Sequence, residues 1–181
     1  MRILSSLQRG LLEKRIIDLR DEVDDRMFEY VRECMALLSL KNNPPIHIKI
    51  TSDGGSVTSC LFIHDLFRLY PGQKTGTVIG FARSTAAVIL QACDKRQAAQ
   101  NSLLLIHSVM ISMSRVPLDE FNDTKEFGKR LKNSRADQER LYLILERRSG
   151  KSRSDIVALC KEDRDLSAEE ALAFGLIDEI I

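Results

Sequence analysis

The chain has no tryptophan, and only 6% of its residues are aromatic. A base-stacking platform for single-stranded nucleic acid needs such rings and is not expected here. An excess of either charge is also lacking: 27 basic against 26 acidic side chains leave a net +1. Such a chain has no bulk electrostatic pull toward nucleic acid or an anionic membrane. No apolar run approaches the ~18 residues of a membrane span, and residues 1–7 lack the apolar stretch of a signal peptide. The four cysteines (Cys34, Cys60, Cys93, Cys160) are far apart and form no CxxC pair. Neither a zinc site nor a disulfide framework is expected, and the cysteines read as free thiols in a reducing cytoplasm. There is no GxxxxGK[ST] loop, so any ATP would be used by a partner, and no cofactor is implied.

What is present is an alternation of elements without repeats or linkers. At 181 residues it is read as one domain, 1–181, large enough to bury a core without staples. Residues 15–19 read as a strand. Val23, Met27, Val31, Cys34, Met35 and Leu38 give helical spacing over 22–40, and Asn42-Asn43-Pro44-Pro45 breaks it. Residues 46–51 alternate strictly, as in a half-buried strand; Ser52-Asp53-Gly54-Gly55 makes a turn; 56–70 is helical. A strand over 74–80, an apolar helix over 84–93, a polar turn at Asp94-Lys95-Arg96 and a strand over 102–107 follow. The last has an unbroken run, Leu103-Leu104-Leu105-Ile106, predicting burial on both faces. Residues 118–148 read as one long helix. Between Asn122 and Arg140 only Phe127, Leu131 and Ala136 are apolar, so it should project or pack on a partner. A helix over 152–161 follows. Ser167-Ala168-Glu169-Glu170 then forms a capping box, Gly175 ends that helix, and 176–181 is a final strand. The βαβ alternation argues for an α/β layered domain.

Only three histidines offer a general base near neutral pH. His47 lies on the polar face of its strand and His64 in an amphipathic helix, both ordinary structural placements. His107 ends a strand, at the edge where α/β sheets carry functional loops. The Gly54-Gly55 pair lets backbone approach a ligand closely. Ser84 stands where a strand gives way to a helix, a position usually held by a cap but also used to present nucleophiles. Here the nucleophile-elbow glycines are missing: Gly80 stands four residues before Ser84 and Ala86 two after. Glu162-Asp163-Arg164-Asp165 is a charged loop that could supply a carboxylate to orient a histidine.

The order of these features resembles the Clp protease proteolytic subunit family (ClpP), self-compartmentalised serine peptidases, over about residues 11–181. The family's Ser-Pro-Gly-Gly is similar to Ser52-Asp53-Gly54-Gly55, and its nucleophile segment to Gly80-Phe81-Ala82-Arg83-Ser84-Thr85-Ala86-Ala87. Its Met-Ile-His resembles Leu105-Ile106-His107. Its acidic-loop motif is matched from Asp163-Arg164-Asp165-Leu166-Ser167 through Gly175-Leu176-Ile177-Asp178. The resemblance implies a ClpP/crotonase-like layered βαβ superhelical domain in which 118–148 is the projecting handle helix. It implies Ser84 as nucleophile, His107 as base and Asp163 as orienting carboxylate, with the backbone N–H groups of Gly55 and Thr85 as oxyanion hole. Two convergent donors of that kind are each worth ~2.7–4 kcal/mol in the transition state. It further implies a homo-oligomer, a heptameric ring or stacked double ring, acting on polypeptides, with an AAA+ unfoldase as candidate partner.

The sequence departs from that pattern at definite places. Asp53 replaces proline, Arg83 a small residue, Thr85 a methionine, and Ser108-Val109 a Gln-Pro pair. Arg83 could compensate Asp53 or read an acidic substrate. The stretch from His107 to Asp163 is longer than typical and lacks the family's glycine-rich turn, which bears on double-ring stacking. Only about ten residues precede Leu11-Leu12-Glu13-Lys14-Arg15, where relatives carry axial loops, so coupling to an ATPase stays open. Three alternatives remain beside an active endopeptidase. One is a non-catalytic subunit assembling with an active relative. Another is a Ser–Lys peptidase or crotonase relative, for which Lys95 is poorly placed. The last is a scaffold without chemistry.

Overall fold

The computed structural model describes residues 4–110 and 124–181. Its elements are α1 (Ser6–Glu13), β1 (Ile16–Val23), α2 (Asp25–Ser39), β2 (Ile46–Gly55), α3 (Val57–Leu69), β3 (Lys74–Arg83), α4 (Thr85–Leu90), β4 (Lys95–Ala98), β5 (Leu103–Leu105), α5 (Thr124–Ser149), α6 (Arg153–Glu162), α7 (Ala168–Phe174) and β6 (Glu179–Ile180). The strands form a parallel sheet in the order β1-β2-β3-β4-β6, with β5 also on β3. A parallel sheet needs cover on its faces because its crossovers are helices. Here α2, α3 and α4 pack in succession, and α4 lies against β2 and β3.

Strand β2 follows from its alternation. Ile46, Ile48 and Ile50 are buried, whereas His47, Lys49 and Thr51 on the other face are half-buried. The buried set continues through Ser52 and Gly54, so the glycine turn is the last stretch of the strand and not a break from it. Strand β3 is shared along its length. Its residues 75–78 pair with β4 and its residues 81–83 with β5. The change of partner falls at Ile79 and at Gly80, whose φ is +86°. This handover carries β5, and the histidine after it, to the end of β3 where Ser84 stands.

Several boundaries differ from the sequence reading for physical reasons. Strand β1 runs on to Val23 through a register shift between Arg20 and Glu22, with Asp21 at φ 67° between them. The helix read from residue 22 therefore starts at Asp25, with the Asp24 side chain accepting from Met27 N–H at 2.9 Å. Helix α1 escaped the periodicity, although Ser5 and Gln8 form a capping box there. The supposed polar turn at 94–96 is only Asp94; Lys95 and Arg96 begin β4. Strand β5 is not buried on both faces: Leu104 is buried, but Leu103 and Leu105 are half-buried. The box at Ser167 with Glu170, and Gly175 at φ +88°, bound α7 as its sequence requires.

In α5 no residue from Lys125 to Arg140 is buried, whereas Leu141, Tyr142 and Leu145 are. The apolar-poor half of the helix thus contributes no fully buried residue among the described residues. Residues 118–123 of the long helix lie outside the described residues. All four cysteines are buried free thiols. Burial pushes Cys34 and Cys93 up to about 12 and Cys160 to about 11, so they stay protonated and unreactive.

Arg96 holds the C-terminal segment to the sheet. It is 5% exposed and forks onto both Asp178 oxygens. It also donates to Gln91 Oε1 at 2.6 Å, Gly175 O at 2.8 Å and Arg148 O at 3.2 Å. Asp178 is 38% exposed and can turn to solvent, so the loss falls on the buried acceptors that Arg96 leaves behind. Arg96→Met should therefore cost about 1–3 kcal/mol of stability, read as a lower denaturation midpoint at unchanged m-value.

Candidate active site

The carboxyl ends of β2, β3 and β5 meet at one cleft, as ligand sites do in parallel α/β sheets. Ser84 follows β3 directly, with φ 54° and ψ −124°. An L-residue held there carries about 1–3 kcal/mol of strain and persists only where its surroundings over-determine it. Two bonds do part of that: Ser84 N–H donates to Leu105 O at 2.8 Å, and Ala87 N–H to Ser84 O at 3.1 Å. Although Ser84 sits at the N-cap of α4, its side chain makes no capping bond. Its hydroxyl is thus presented on a strained strand-to-helix turn, without the glycines that usually mark one.

Gly54 makes this turn possible. At φ +92° it lies so close that a Cβ would sit 2.7 Å from Arg83 O, 2.8 Å from Ser84 Cβ and 3.0 Å from Thr85 N. Gly55, at φ +151°, backs onto β1 in the same way, 2.5 Å from Val23 O. Gly54 N–H is taken by Ser52 Oγ at 3.1 Å and Ser56 N–H by Val23 O at 2.7 Å. Thr85 opens α4, so its N–H has no partner within the helix.

His107 lies two residues beyond β5 and is half-buried. Its Nδ1 is 2.6 Å from Ser108 O. A carbonyl only accepts, so Nδ1 carries the hydrogen and Nε2 keeps its lone pair, the tautomer a general base needs. The loop after it is tied to α5 twice: Val109 N–H donates to Gln138 Oε1 at 2.6 Å, and Ser108 Oγ meets Tyr142 Oη at 3.1 Å. A proline at 109, as in the resembling family, could not make the first bond.

Ser84, Thr85, His107, Gly54 and Gly55 line one cleft of about 470 Å³, whose inner wall includes Val88, Ile106, Leu141 and Leu145. Asp21, Glu22 and Asp53 stand on its border. Asp163 does not line it. It is exposed, left-handed (φ 46°, ψ 49°) at the C-terminus of α6, and among the described residues its carboxylate has no hydrogen bond. The structure therefore brings Ser84, His107, Gly55 and Thr85 together, and places Asp163 outside. His47 and His64 are remote from this cleft. His47 Nε2 meets Thr77 Oγ1 at 2.8 Å, while His64 is buried in α3 and its pKa is lowered by burial. Among the described residues no cluster of three or more His, Cys, Asp or Glu is placed to hold a metal.

Arg83 is committed to ion pairs. Its Nη1 is 2.7 Å from Asp53 Oδ1, and its Nε and Nη2 fork onto Asp165 Oδ1 and Oδ2, each at 2.7 Å. The sequence reading placed Asp165 in the charged loop but did not pair it with Arg83. Its one signal was a charge at 165 opposite in sign to the unexpected charge at 83.

A strained serine and a histidine thus share one cleft at the carboxyl end of a parallel α/β sheet, with Gly54 pressed against the serine. A family model for Clp protease matches residues 2–181, and the chain belongs to that family. No helix among the described residues is long and apolar enough to cross a membrane.

Gly54→Ala should displace the turn into Ser84, destabilise the chain by at least about 1–3 kcal/mol and abolish reaction of Ser84 with a phosphonate. Gly80→Ala is the control: it meets the same φ strain, but the nearest atom to its Cβ is 3.6 Å away, so labelling should survive. The Arg83 fork holds the Asp165 carboxyl below its usual range. A depressed carboxylate stabilises the fold above its ordinary pKa and loses that contribution as pH falls through the lowered value. The stability of wild type over Asp165→Asn should thus be present at neutral pH and vanish on acid titration well below pH ~4.

Proposed function

We propose that this chain is a serine endopeptidase of the Clp type, cleaving unfolded polypeptides or short peptides by acyl-enzyme chemistry within a self-compartmentalised ring. The observation that carries this reading is the strained Ser84, with its hydroxyl unspent on capping, facing the same cleft as a His107 whose Nε2 is the free nitrogen. His107 Nε2 takes the Ser84 proton as Oγ bonds to the peptide carbonyl carbon. The carbonyl oxygen becomes an oxyanion, received by the N–H groups of Thr85 and Gly55. The C–N bond then breaks, the amine leaves with the proton from His107, and water attacks the ester by the same route in reverse. The apolar wall of Val88, Ile106, Leu141 and Leu145 suits an apolar side chain beside the scissile bond.

Asp163 is assigned as the carboxylate that stabilises the imidazolium, which requires His107 Nδ1 to leave Ser108 O. Ring assembly is the natural occasion. The unburied half of α5 supplies a surface for it, as a handle would, and an AAA+ unfoldase in a cytoplasmic setting is the expected partner. The exposed Asp163 also favours a second reading, a non-catalytic subunit assembling with an active relative.

A fluorophosphonate separates the two. The active reading expects one phosphonyl adduct per subunit by intact mass, absent in Ser84→Ala. Peptidase activity should fall in His107→Ala by on the order of 10⁴-fold or more and be unaffected in Lys95→Ala. No adduct on a folded ring would establish the non-catalytic subunit.

A further inference from the structure

Resting on the peptidase reading, we infer that Arg83 is a positioning residue for that chemistry, clamping the glycine turn (through Asp53) and the acidic loop (through Asp165) onto the nucleophile's own backbone. Three segments distant in sequence converge on this one side chain. Arg83 precedes Ser84 directly. Asp53 precedes the Gly54 that abuts Ser84. Asp165 lies two residues beyond Asp163.

The two arms differ in strength. The Asp53 carboxylate is 70% exposed and takes one guanidinium nitrogen, so solvent screens it and it contributes little. The Asp165 arm is bidentate between side chains about one-third exposed, and a planar fork of that kind fixes geometry as well as charge. The guanidinium also lies 4.7 Å over the Phe81 ring, which restrains the rest of the side chain. On the far side, Leu166 and Leu104 exchange N–H···O bonds at 2.7 and 3.0 Å, tying the same loop to β5 three residues before His107. The acidic loop is thus held at two points, once to the strand bearing the base and once to the residue before the nucleophile. Since Ser84 keeps its φ/ψ only under constraint, loosening Arg83 lets the turn relax and the loop drift. Such shifts of the order of 1 Å cost about a hundredfold in rate.

The test measures kcat and KM on a fluorogenic peptide, the rate of fluorophosphonate labelling, and the melting temperature. It uses wild type, Arg83→Lys, Arg83→Met, Asp165→Asn and Asp53→Asn at the same ring concentration. A positioning role predicts kcat and labelling falling about a hundredfold in Arg83→Met. Arg83→Lys and Asp165→Asn should lose nearly as much, since lysine keeps the charge but not the fork, and Asp53→Asn least. KM should stay within about twofold, because the groups that bind substrate are untouched. If Arg83→Met does not fold, Asp165→Asn and Arg83→Lys carry the comparison. Unchanged kcat in these variants overturns the inference. A raised KM at constant kcat also overturns it, assigning Arg83 to substrate recognition. So does a kcat loss that disappears once activity is measured well below each variant's melting temperature, which would leave the clamp merely structural. Failure of the underlying peptidase reading is distinguishable, because wild type itself would then take no adduct, and the inference falls with it.

Discussion

The close approach of Gly54 to the residues at the end of β3 governs the rest of the site. Two parallel strands normally keep a side chain's width between a turn on one and the helix entry on the other. Here the space for a Cβ at 54 is already filled by Arg83 O, Ser84 Cβ and Thr85 N. That contact forbids any residue but glycine and leaves Ser84 little choice of conformation. The strain at Ser84 is sustained by packing across the sheet and by the bond from its N–H to Leu105 O. It also puts the serine hydroxyl, the Thr85 N–H and the glycine backbone within one small volume. Under the proposed mechanism, preorganisation of this sort would supply transition-state stabilisation without reorganisation during reaction.

Electrostatics then has to be reconciled with that geometry. A carboxylate at 53 stands near where negative charge would develop on a carbonyl oxygen, and would oppose it if unpaired. The Arg83 guanidinium neutralises it at 2.7 Å while bonding Asp165 by the fork. Asp53 and Arg83 thus stand where the resembling family has residues without charge, and Asp53 and Asp165 are brought to a single cation. The arrangement costs side-chain entropy and gains little from the exposed arm. Its value lies in tying the acidic loop to the ends of β2 and β3 through one side chain, beyond what the β2–β3 ladder at Ser52 and Ala82 already holds.

The sequence made much of this legible, and the limits have physical causes. The alternation in β2, the capping box at Ser167 and the serine at the end of β3 all reflect local chemistry, and the structure places them accordingly, whereas His107 falls two residues beyond β5 and not at its end. What escaped depends on distance in the chain. The polar residues Lys95 and Arg96 read as a turn because nothing local says that Arg96 will find Asp178, Gln91 and Gly175. Asp165 read as part of a solvated charge run because its partner lies 82 residues away. The bulge at Asp21 and the late start of α2 were hidden because Val23 satisfies helical and strand periodicities alike. Strand β5 read as doubly buried because three leucines suggest a central strand, whereas among the described residues its one ladder is to β3.

The histidine shows how one local bond can do half of a catalytic task. A carboxylate behind a catalytic imidazole fixes the tautomer and stabilises the imidazolium formed in the transition state. The Ser108 carbonyl, 2.6 Å from Nδ1, accomplishes the first with a neutral acceptor. It contributes only a dipole to the second, and a dipole stabilises a full charge less than a nearby anion does. On the proposed reading, holding His107 against its own loop would give a base with the correct lone pair and an incomplete electrostatic partner. The loop in turn is pinned to α5 through Gln138 and Tyr142, next to the boundary between the unburied and buried halves of that helix. A partner covering the half of α5 without fully buried residues would rest on the same helix that anchors the loop after His107. In this chain the loop that follows His107 and helix α5 are linked through two side-chain hydrogen bonds, and the same loop carries the carbonyl that holds the imidazole.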